Sequence, residues 1–414
     1  MLSIFNTLTK KKEIFFSIFE KKVNIYVCGV TVYDYCHIGH ARTFLVFDMI
    51  VRYLIHKKYH VNYVRNITDI DDKIIHRSKK NNENFQDLSN RMIDFMNQDF
   101  EKLGLLSPNF QPRVTENIGV ITFFIKNLLD NHHAYFANNG DILFSVDSYK
   151  HYGELSKQIL NKLKNNKDSL KERYKKFTND FVLWKNVDKY DLPNWKTVWG
   201  FGRPGWHIEC SAINHHFFHE NLDIHGGGSD LLFPHHENER AQSSCFYNKK
   251  NYGNYWIHVG SLLFQNHKMS KSLKNTIFLK DLLSKYDAEV IRYFFLSTHY
   301  RKPIHYSEEN LKKSIFSLKK LYLILKKLDI SHNITAITPS IEDRKFCLDF
   351  YRAMNNDFNT PHAISILFKM LKKINLLLKE KNKISAICFS YRLRYLGNIL
   401  GLLKKDPIIF LKNL

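Results

Sequence analysis

Few folds accommodate the opening of this chain. Val23-Asn-Ile-Tyr-Val-Cys28 alternates and is rich in β-branched residues, the pattern of a strand ending at Cys28 and Gly29. Over residues 39–53, Leu45, Val46, Phe47, Met49, Ile50 and Val51 make a helix apolar on most sides, as expected of one packed in a sheet layer. His60-Val-Asn-Tyr-Val-Arg65 then predicts a second strand. Strand, helix, strand is a βαβ unit, which closes as a parallel pair with a right-handed crossover. Ligands of such sheets sit beyond the carboxyl ends of the strands, which is where Cys28, Gly29, Thr68 and Asp69 fall.

At 414 residues the chain exceeds one core of ordinary size, so two to four domains are expected. Residues 121–204 lose the α/β pattern and carry Asn- and Lys-rich runs, which reads as an insertion. Sheet-like sequence resumes at Gly205 and runs to about Gly260, so the insertion splits one domain into two halves. The last hundred residues are helical. Leu311, Ile315, Leu318, Tyr322, Leu325 and Leu328 step by three or four, as do Ile364, Leu367, Leu371, Ile374 and Leu378. Thr360-Pro361 predicts the N-cap and first turn of the second helix, and Lys312, Lys319 and Lys326 fall on the polar face of the first.

Sixty-two Lys and Arg against 40 Asp and Glu leave a formal charge of +22, which favours a polyanionic partner such as nucleic acid. Lys10, Lys11, Lys12 and Glu13 interrupt the N-terminal apolar residues, so a secretory signal is not expected. No stretch approaches the ~18 apolar residues of a membrane span, and the location expected is cytoplasmic. Six scattered cysteines, Cys28, Cys36, Cys210, Cys245, Cys347 and Cys388, predict no disulfides; a special one binds metal or reacts.

Three motifs carry chemistry. His37-Ile-Gly-His40 stands where the first strand gives way to a helix. Gly39 permits close approach of a flat base, and two imidazoles near a helix N-terminus suit phosphate oxygens. Lys268-Met-Ser-Lys-Ser272 reads as a loop whose lysines, Lys268 and Lys271, clamp pyrophosphate as charge builds at the α-phosphorus. In this order the pair resembles the class I aminoacyl-tRNA synthetases, where the two motifs bracket the ATP site. Asp223-Ile-His-Gly-Gly-Gly-Ser-Asp230 reads as a glycine-rich turn leading to a helix in which His235 and Glu239, four apart, share a face. With Cys28 and Cys210 they form a Cys, Cys, His, Glu set of zinc-ligand type, although buried cysteines at strand ends are also ordinary inert thiols. A zincin protease is excluded, because His236-Glu237 lacks the second histidine of that signature.

With Tyr26-Val-Cys-Gly-Val-Thr-Val-Tyr-Asp34, Asn66-Ile-Thr-Asp-Ile-Asp-Asp-Lys73 and Phe181-Val-Leu-Trp-Lys185 added, the chain resembles the cysteinyl-tRNA synthetase family as far as Leu403. The resemblance implies a Rossmann-like α/β catalytic domain with a parallel sheet (residues 1–120 and 205–260) split by a connective insertion (121–204). A region holding the Lys268 loop and contacting the tRNA stem (261–306) follows, then an α-helical bundle (307–414). It implies ATP-dependent formation of cysteinyl-adenylate and transfer to the terminal adenosine of tRNA(Cys), by a monomer. His37, Gly39 and His40 with Lys268 and Lys271 would hold ATP and Mg²⁺, and one Zn²⁺ on Cys28, Cys210, His235 and Glu239 would take the substrate thiolate. Thr68, Trp206, His225 and Asp230 surround the amino acid, beside Gly29 at the strand end. A metal suits this substrate. Shape alone separates cysteine from serine or alanine by only ~1–3 kcal/mol, whereas a soft thiolate outcompetes a hydroxyl at zinc without an editing site.

Asp69, Asp71 and Asp72 open a helix and read as dipole partners rather than a magnesium site, and His132-His133 and His215-His216 read as structural. Two departures from the family stand out. Lys274 occupies a position usually held by glycine, and the chain stops soon after Leu403 where the family continues into a small anticodon-binding module. The expectation is a tRNA complex of unusual salt sensitivity. The alternatives are the ligase that joins cysteine to glucosaminyl-inositol in mycothiol synthesis, which shares the adenylation site and lacks that module, and a non-catalytic RNA-binding paralogue.

Overall fold

The computed structural model describes residues 1–158, 175–264, 267–268, 276–330 and 341–414. Its centre is a four-stranded, all-parallel sheet in the order Tyr255–Val259, Ile224–Gly228, Lys22–Thr31, His60–Thr68. Period-two alternation splits the strand Lys22–Thr31 between two cores. Val23, Ile25 and Val27 pack with the helix Ile38–His56 on one face, while Tyr26 and Cys28 face Ile208, Cys210 and Ala241 on the other. That alternation sends Cys28 toward the helices Trp206–Phe218 and Glu237–Phe246.

Close packing of helix on sheet explains Gly226. A Cβ there would stand 2.0 Å from the Phe47 ring, so only glycine lets the first helix settle on the strand.

Several local readings of the sequence are corrected by the fold. The first strand does not end at Cys28 and Gly29; it runs to Thr31, with its register against the neighbouring strand shifting between Val27 and Val30. The bulge brings Gly29 so near that its N–H donates to Asn66 Oδ1 at 2.8 Å. Sheet sequence does not resume at Gly205 either, because the next element is the helix Trp206–Phe218. The glycines of residues 226–228 form no turn: they lie buried in the strand Ile224–Gly228, where the side chains of Phe47, His236 and Asp230 leave no room for a Cβ.

Between the sheet halves, the helix Ile118–Asp130 packs on Trp206–Phe218, and Phe124 stacks on Phe246 with ring centroids 4.0 Å apart. A five-stranded antiparallel sheet of short strands follows, in the order Ala134–Phe136, Ile142–Phe144, Phe181–Asn186, Gly200–Pro204, Trp195–Thr197. Strands of this length carry too little periodicity to be read from sequence.

Beyond the parallel sheet, Leu262–Phe264 pairs antiparallel with His267–Lys268 and parallel with Ile304–Tyr306. The helices Glu308–Lys327, Ile341–Asn355, Thr360–Lys379 and Lys383–Ile399 complete the chain with the short Pro407–Lys412. The N-cap of the third of these is Asn359, not Thr360: Asn359 accepts from the His362 N–H at 3.2 Å, and the Thr360 hydroxyl is drawn away to Leu296 O at 2.7 Å. Lys312, Lys319 and Lys326 lie exposed along Glu308–Lys327. Asp71 caps Asp72–Asn81 by accepting from Lys73 N, and Asp69 accepts from the Thr115 hydroxyl and N–H, so both carboxylates serve local structure. Among the described residues no helix is long and apolar enough to cross a membrane.

Candidate active site and metal centre

The helix Ile38–His56 starts with an unusual cap. His37 Nδ1 accepts from His40 N at 3.2 Å, His40 Nδ1 accepts from His37 N at 3.4 Å, and the rings stack with centroids 3.6 Å apart. With both Nδ1 atoms accepting, each neutral ring carries its hydrogen on Nε2 and presents a donor from the helix N-terminus, where the helix dipole already favours an anion. Gly39 belongs to the same device, since a Cβ there would stand 2.9 Å from the His37 ring.

This corner is one wall of a cleft lined also by Cys28, Gly29, Tyr33, Thr43, Lys73, Trp206, Asp230 and residues 259–262. It lies at the carboxyl ends of the parallel strands, as expected for an open α/β sheet. Both ends of the Lys268 segment are anchored beside it. Lys268 pairs with Leu263 in the small sheet, while Ile38 N donates to Ile277 O at 3.0 Å and Leu279 N to Cys36 O at 2.8 Å. Lys271, Lys274 and the side chain of Lys268 lie outside the described residues.

Below the cleft, Cys28, Cys210, His235 and Glu239 are all buried, with one ligand atom of each within 4.8 Å of the others. Cys28 comes from the central strand, Cys210 from Trp206–Phe218, and His235 from the kinked turn Leu232–His236 that leads into the helix carrying Glu239. His235 Nε2 lies 2.9 Å from Glu239 Oε1, and Cys28 Sγ 3.1 Å from the same oxygen.

The electrostatics are those of a donor set. Burial and the neighbouring Cys210 push the Cys28 thiol well up. Burial also opposes ionisation of Cys210, yet hydrogen bonds from Cys28 and His235 outweigh it and bring the thiol down to about 6. Against the pull of burial, the Glu239 charge and contact with Cys210 hold His235 up at about 10, while His225 and His235 keep Glu239 well below the carboxylate range. Glu239 Oε2 is buried, with His225 Nε2 beside it at 3.3 Å. Two sulfurs, an imidazole and a carboxylate in one buried cluster fit a tetrahedral zinc ion.

The remaining expected residues divide. Gly29, Trp206 and Asp230 are on the cleft wall. Thr68 and His225 are buried behind it: Thr68 Oγ1 donates to Glu209 Oε2 at 3.2 Å, and His225 Nε2 lies 3.6 Å from Cys28 Sγ and 3.3 Å from Glu239 Oε2.

Comparison with known proteins adds an independent line. Residues 14–315 match the family model of tRNA synthetases class I (C) catalytic domain, and residues 349–404 match the DALR domain. A cysteine–tRNA ligase of Buchnera aphidicola subsp. Acyrthosiphon pisum (strain APS) is 53% identical over 413 residues, covering 100% of this chain and 87% of that protein. One from Histophilus somni (strain 129Pt) is 51% identical over 412 residues, covering 100% and 88%. The chain belongs to the cysteine–tRNA ligase family. Among solved structures, Mycobacterium tuberculosis methionyl-tRNA synthetase with methionyl-adenylate aligns at a TM-score of 0.64 and 12% identity, covering 92% of this chain and 89% of that one. An Agrobacterium radiobacter leucyl-tRNA synthetase in a ternary complex with tRNA aligns at 0.67 and 12%, covering 94% and 84%. At such identities these two speak for the fold alone: the class I synthetase α/β architecture.

Sequence reasoning passed over several residues of this candidate site. Lys73 and Tyr33 lie on the cleft wall, although both stand in motifs read for other reasons. His236 belongs to a second possible donor group, Cys28, His225, His236 and Glu239, which overlaps the first. Its Nδ1 lies 2.8 Å from His258 Nε2, whose Nδ1 is in turn 2.9 Å from the Thr7 hydroxyl, a contact across 251 positions that no local pattern announces.

Proposed function

We propose that this chain activates cysteine with ATP as cysteinyl-adenylate and transfers it to the 3′-terminal adenosine of tRNA(Cys), in the cytoplasm and as a monomer. One observation carries the reading: Cys28 belongs at once to the cleft that His37 and His40 border and to the buried donor cluster. A nucleotide site and a thiol-recognising metal site that share a residue bring an amino-acid carboxylate to the α-phosphate while its sulfur is held.

Cys28, Cys210, His235 and Glu239 would hold zinc, whose chemistry there is soft Lewis-acid binding of a thiolate that serine cannot match. Gly29, Trp206 and Asp230 then border the amino acid directly, whereas Thr68 and His225 act by fixing Glu209, Cys28 and Glu239. His37 and His40, hydrogen-bonded through Nδ1, direct Nε2–H donors at phosphate oxygens. As the cysteine carboxylate attacks the α-phosphorus, these donors meet the growing negative charge and pyrophosphate leaves; Lys268 and Lys271 would add positive charge there, and Mg²⁺ carried by the nucleotide would supply further charge neutralisation. No covalent enzyme intermediate is involved; the rate comes from proximity and electrostatics. The exposed lysines of Glu308–Lys327, within residues 307–414, meet the tRNA backbone.

Transfer of radiolabelled cysteine to purified cysteine tRNA tests this, with glucosaminyl-inositol offered as competing acceptor and serine as competing amino acid. The expected result is label on tRNA from cysteine alone. Label on the sugar, or adenylation without tRNA charging, would overturn the acceptor.

A further inference from the structure

Arg42 lies two residues beyond His40 on the helix Ile38–His56, and only 1% of it is exposed. Among the described residues no carboxylate pairs with its guanidinium. Nη1 donates to Ser261 O at 2.7 Å and Nη2 to Lys302 O, while Nε has no partner. A buried cation satisfied mainly by two backbone carbonyls is costly, and burial alone brings its pKa down to about 9.

The two carbonyls mark one crossing point. Ser261 is where the chain leaves the parallel sheet for the strand Leu262–Phe264, and its carbonyl also accepts from Ile304 N at 3.0 Å. Gly260 N donates to Tyr300 O at 2.8 Å, and a Cβ at Gly260 would stand 2.5 Å from Lys302 O. Leu263 is the pairing partner of Lys268, and Ser261 and Leu262 line the cleft. A single planar fork on the His37–His40 helix therefore grips both chain segments that lead into the paired strands Leu262–Phe264 and Ile304–Tyr306, the first of which pairs with His267–Lys268.

We propose that Arg42 is a positioning residue for adenylation: it clamps the sheet carrying Lys268 to the helix carrying His37 and His40, fixing the distance across the ATP cleft. This rests on the adenylation reading above. Lysine cannot reproduce the effect, since an ammonium lacks the fork that spans two carbonyls.

The test is Arg42→Lys, which keeps the charge, beside Gly260→Ala, which pushes Lys302 from the same crossing without touching Arg42. Two readouts are needed. In hydrogen exchange by mass spectrometry, amides of Leu262–Phe264 and Ile304–Tyr306 should exchange about tenfold faster in Arg42→Lys while those of His60–Thr68 do not change. In cysteine-dependent ATP–pyrophosphate exchange, kcat should fall about 100-fold with the KM for cysteine unaltered, as a misplacement near 1 Å produces. Gly260→Ala should show both effects. Unchanged amide protection in Arg42→Lys overturns the clamp, as does full kcat in a variant whose strands have loosened. If the wild type supported no exchange of pyrophosphate, the functional reading would fall and the amide result would still judge the clamp.

Discussion

His37 and His40 lie ring on ring, 3.6 Å between centroids, each accepting the other's backbone N–H. The two rings thus cap the helix as one object. If they also serve ATP as proposed, replacing either ring removes a donor to phosphate and loosens the other, so the two losses should not add. His40→Ala should lower kcat for cysteine-dependent pyrophosphate exchange about 100- to 1,000-fold and cost about 1 kcal/mol of stability as a lost cap. His37→Ala and the double variant should fall in the same range. An additive double variant, read by the same exchange assay, would show that the rings work separately.

The proposed zinc centre makes a sharper prediction about selectivity. Cys210→Ser should drive bound zinc toward zero by atomic absorption, since the ligand atoms of this cluster crowd within 4.8 Å and a hydroxyl is a poor zinc donor. Removing zinc with a chelator should abolish cysteine activation and return with added zinc. The intact protein should prefer cysteine over serine by far more than the roughly 200-fold ceiling of a shape-based pocket. A preference below that ceiling would mean recognition without the metal.

Asp48 joins the His37–His40 helix to Arg292 on the helix Ala288–Leu296. Its Oδ2 accepts from Arg292 Nη1 at 2.5 Å and Arg52 Nε at 2.8 Å, and Oδ1 accepts from Leu106 N at 2.7 Å. Burial opposes its charge, but Arg292 and Arg52 more than reverse this and hold its pKa below 3.8. A depressed folded value means stability that is fully present above the unfolded pKa and drains as pH falls through the folded one. Asp48→Asn should cost about 3–5 kcal/mol at neutral pH by stranding buried guanidinium charge. It should also flatten the fall in urea midpoint below about pH 4. Parallel acid limbs in wild type and variant would refute the assignment.

Lys312, Lys319 and Lys326 are exposed along one helix of a chain with net charge +22. If they meet tRNA phosphates, replacing all three with Ala should shrink the salt slope of tRNA binding by about 2 to 3. Filter binding across 50–200 mM salt reads this directly, and cysteine activation without tRNA should be untouched. An unchanged slope would move the RNA contact elsewhere.

Much of this was local and therefore legible. The strand, helix, strand opening, the placement of His37 and His40 at a helix start, and the pairing of His235 with Glu239 depend on residues a few positions apart, where period and spacing carry the information. Asp71 as a helix cap was readable for the same reason. Short antiparallel strands in residues 134–204 were not, because three-residue elements give too few repeats of any period.

By itself the sequence determined the chemistry on offer: two cysteines, a histidine and a glutamate of zinc type, two stacked-capable histidines after a strand, and a surplus of lysine. Only the tertiary structure decided how these meet. The bulge between Val27 and Val30, which carries Gly29 against Asn66 where its N–H donates at 2.8 Å, is set by pairing between strands 37 positions apart. Arg42 reads in sequence as one more charge on a helix; that it is buried and bonded to carbonyls 219 and 260 positions away follows from packing. Burial and distant hydrogen bonds are properties of the folded arrangement, so a local pattern names the groups while the fold sets their partners and pKa values.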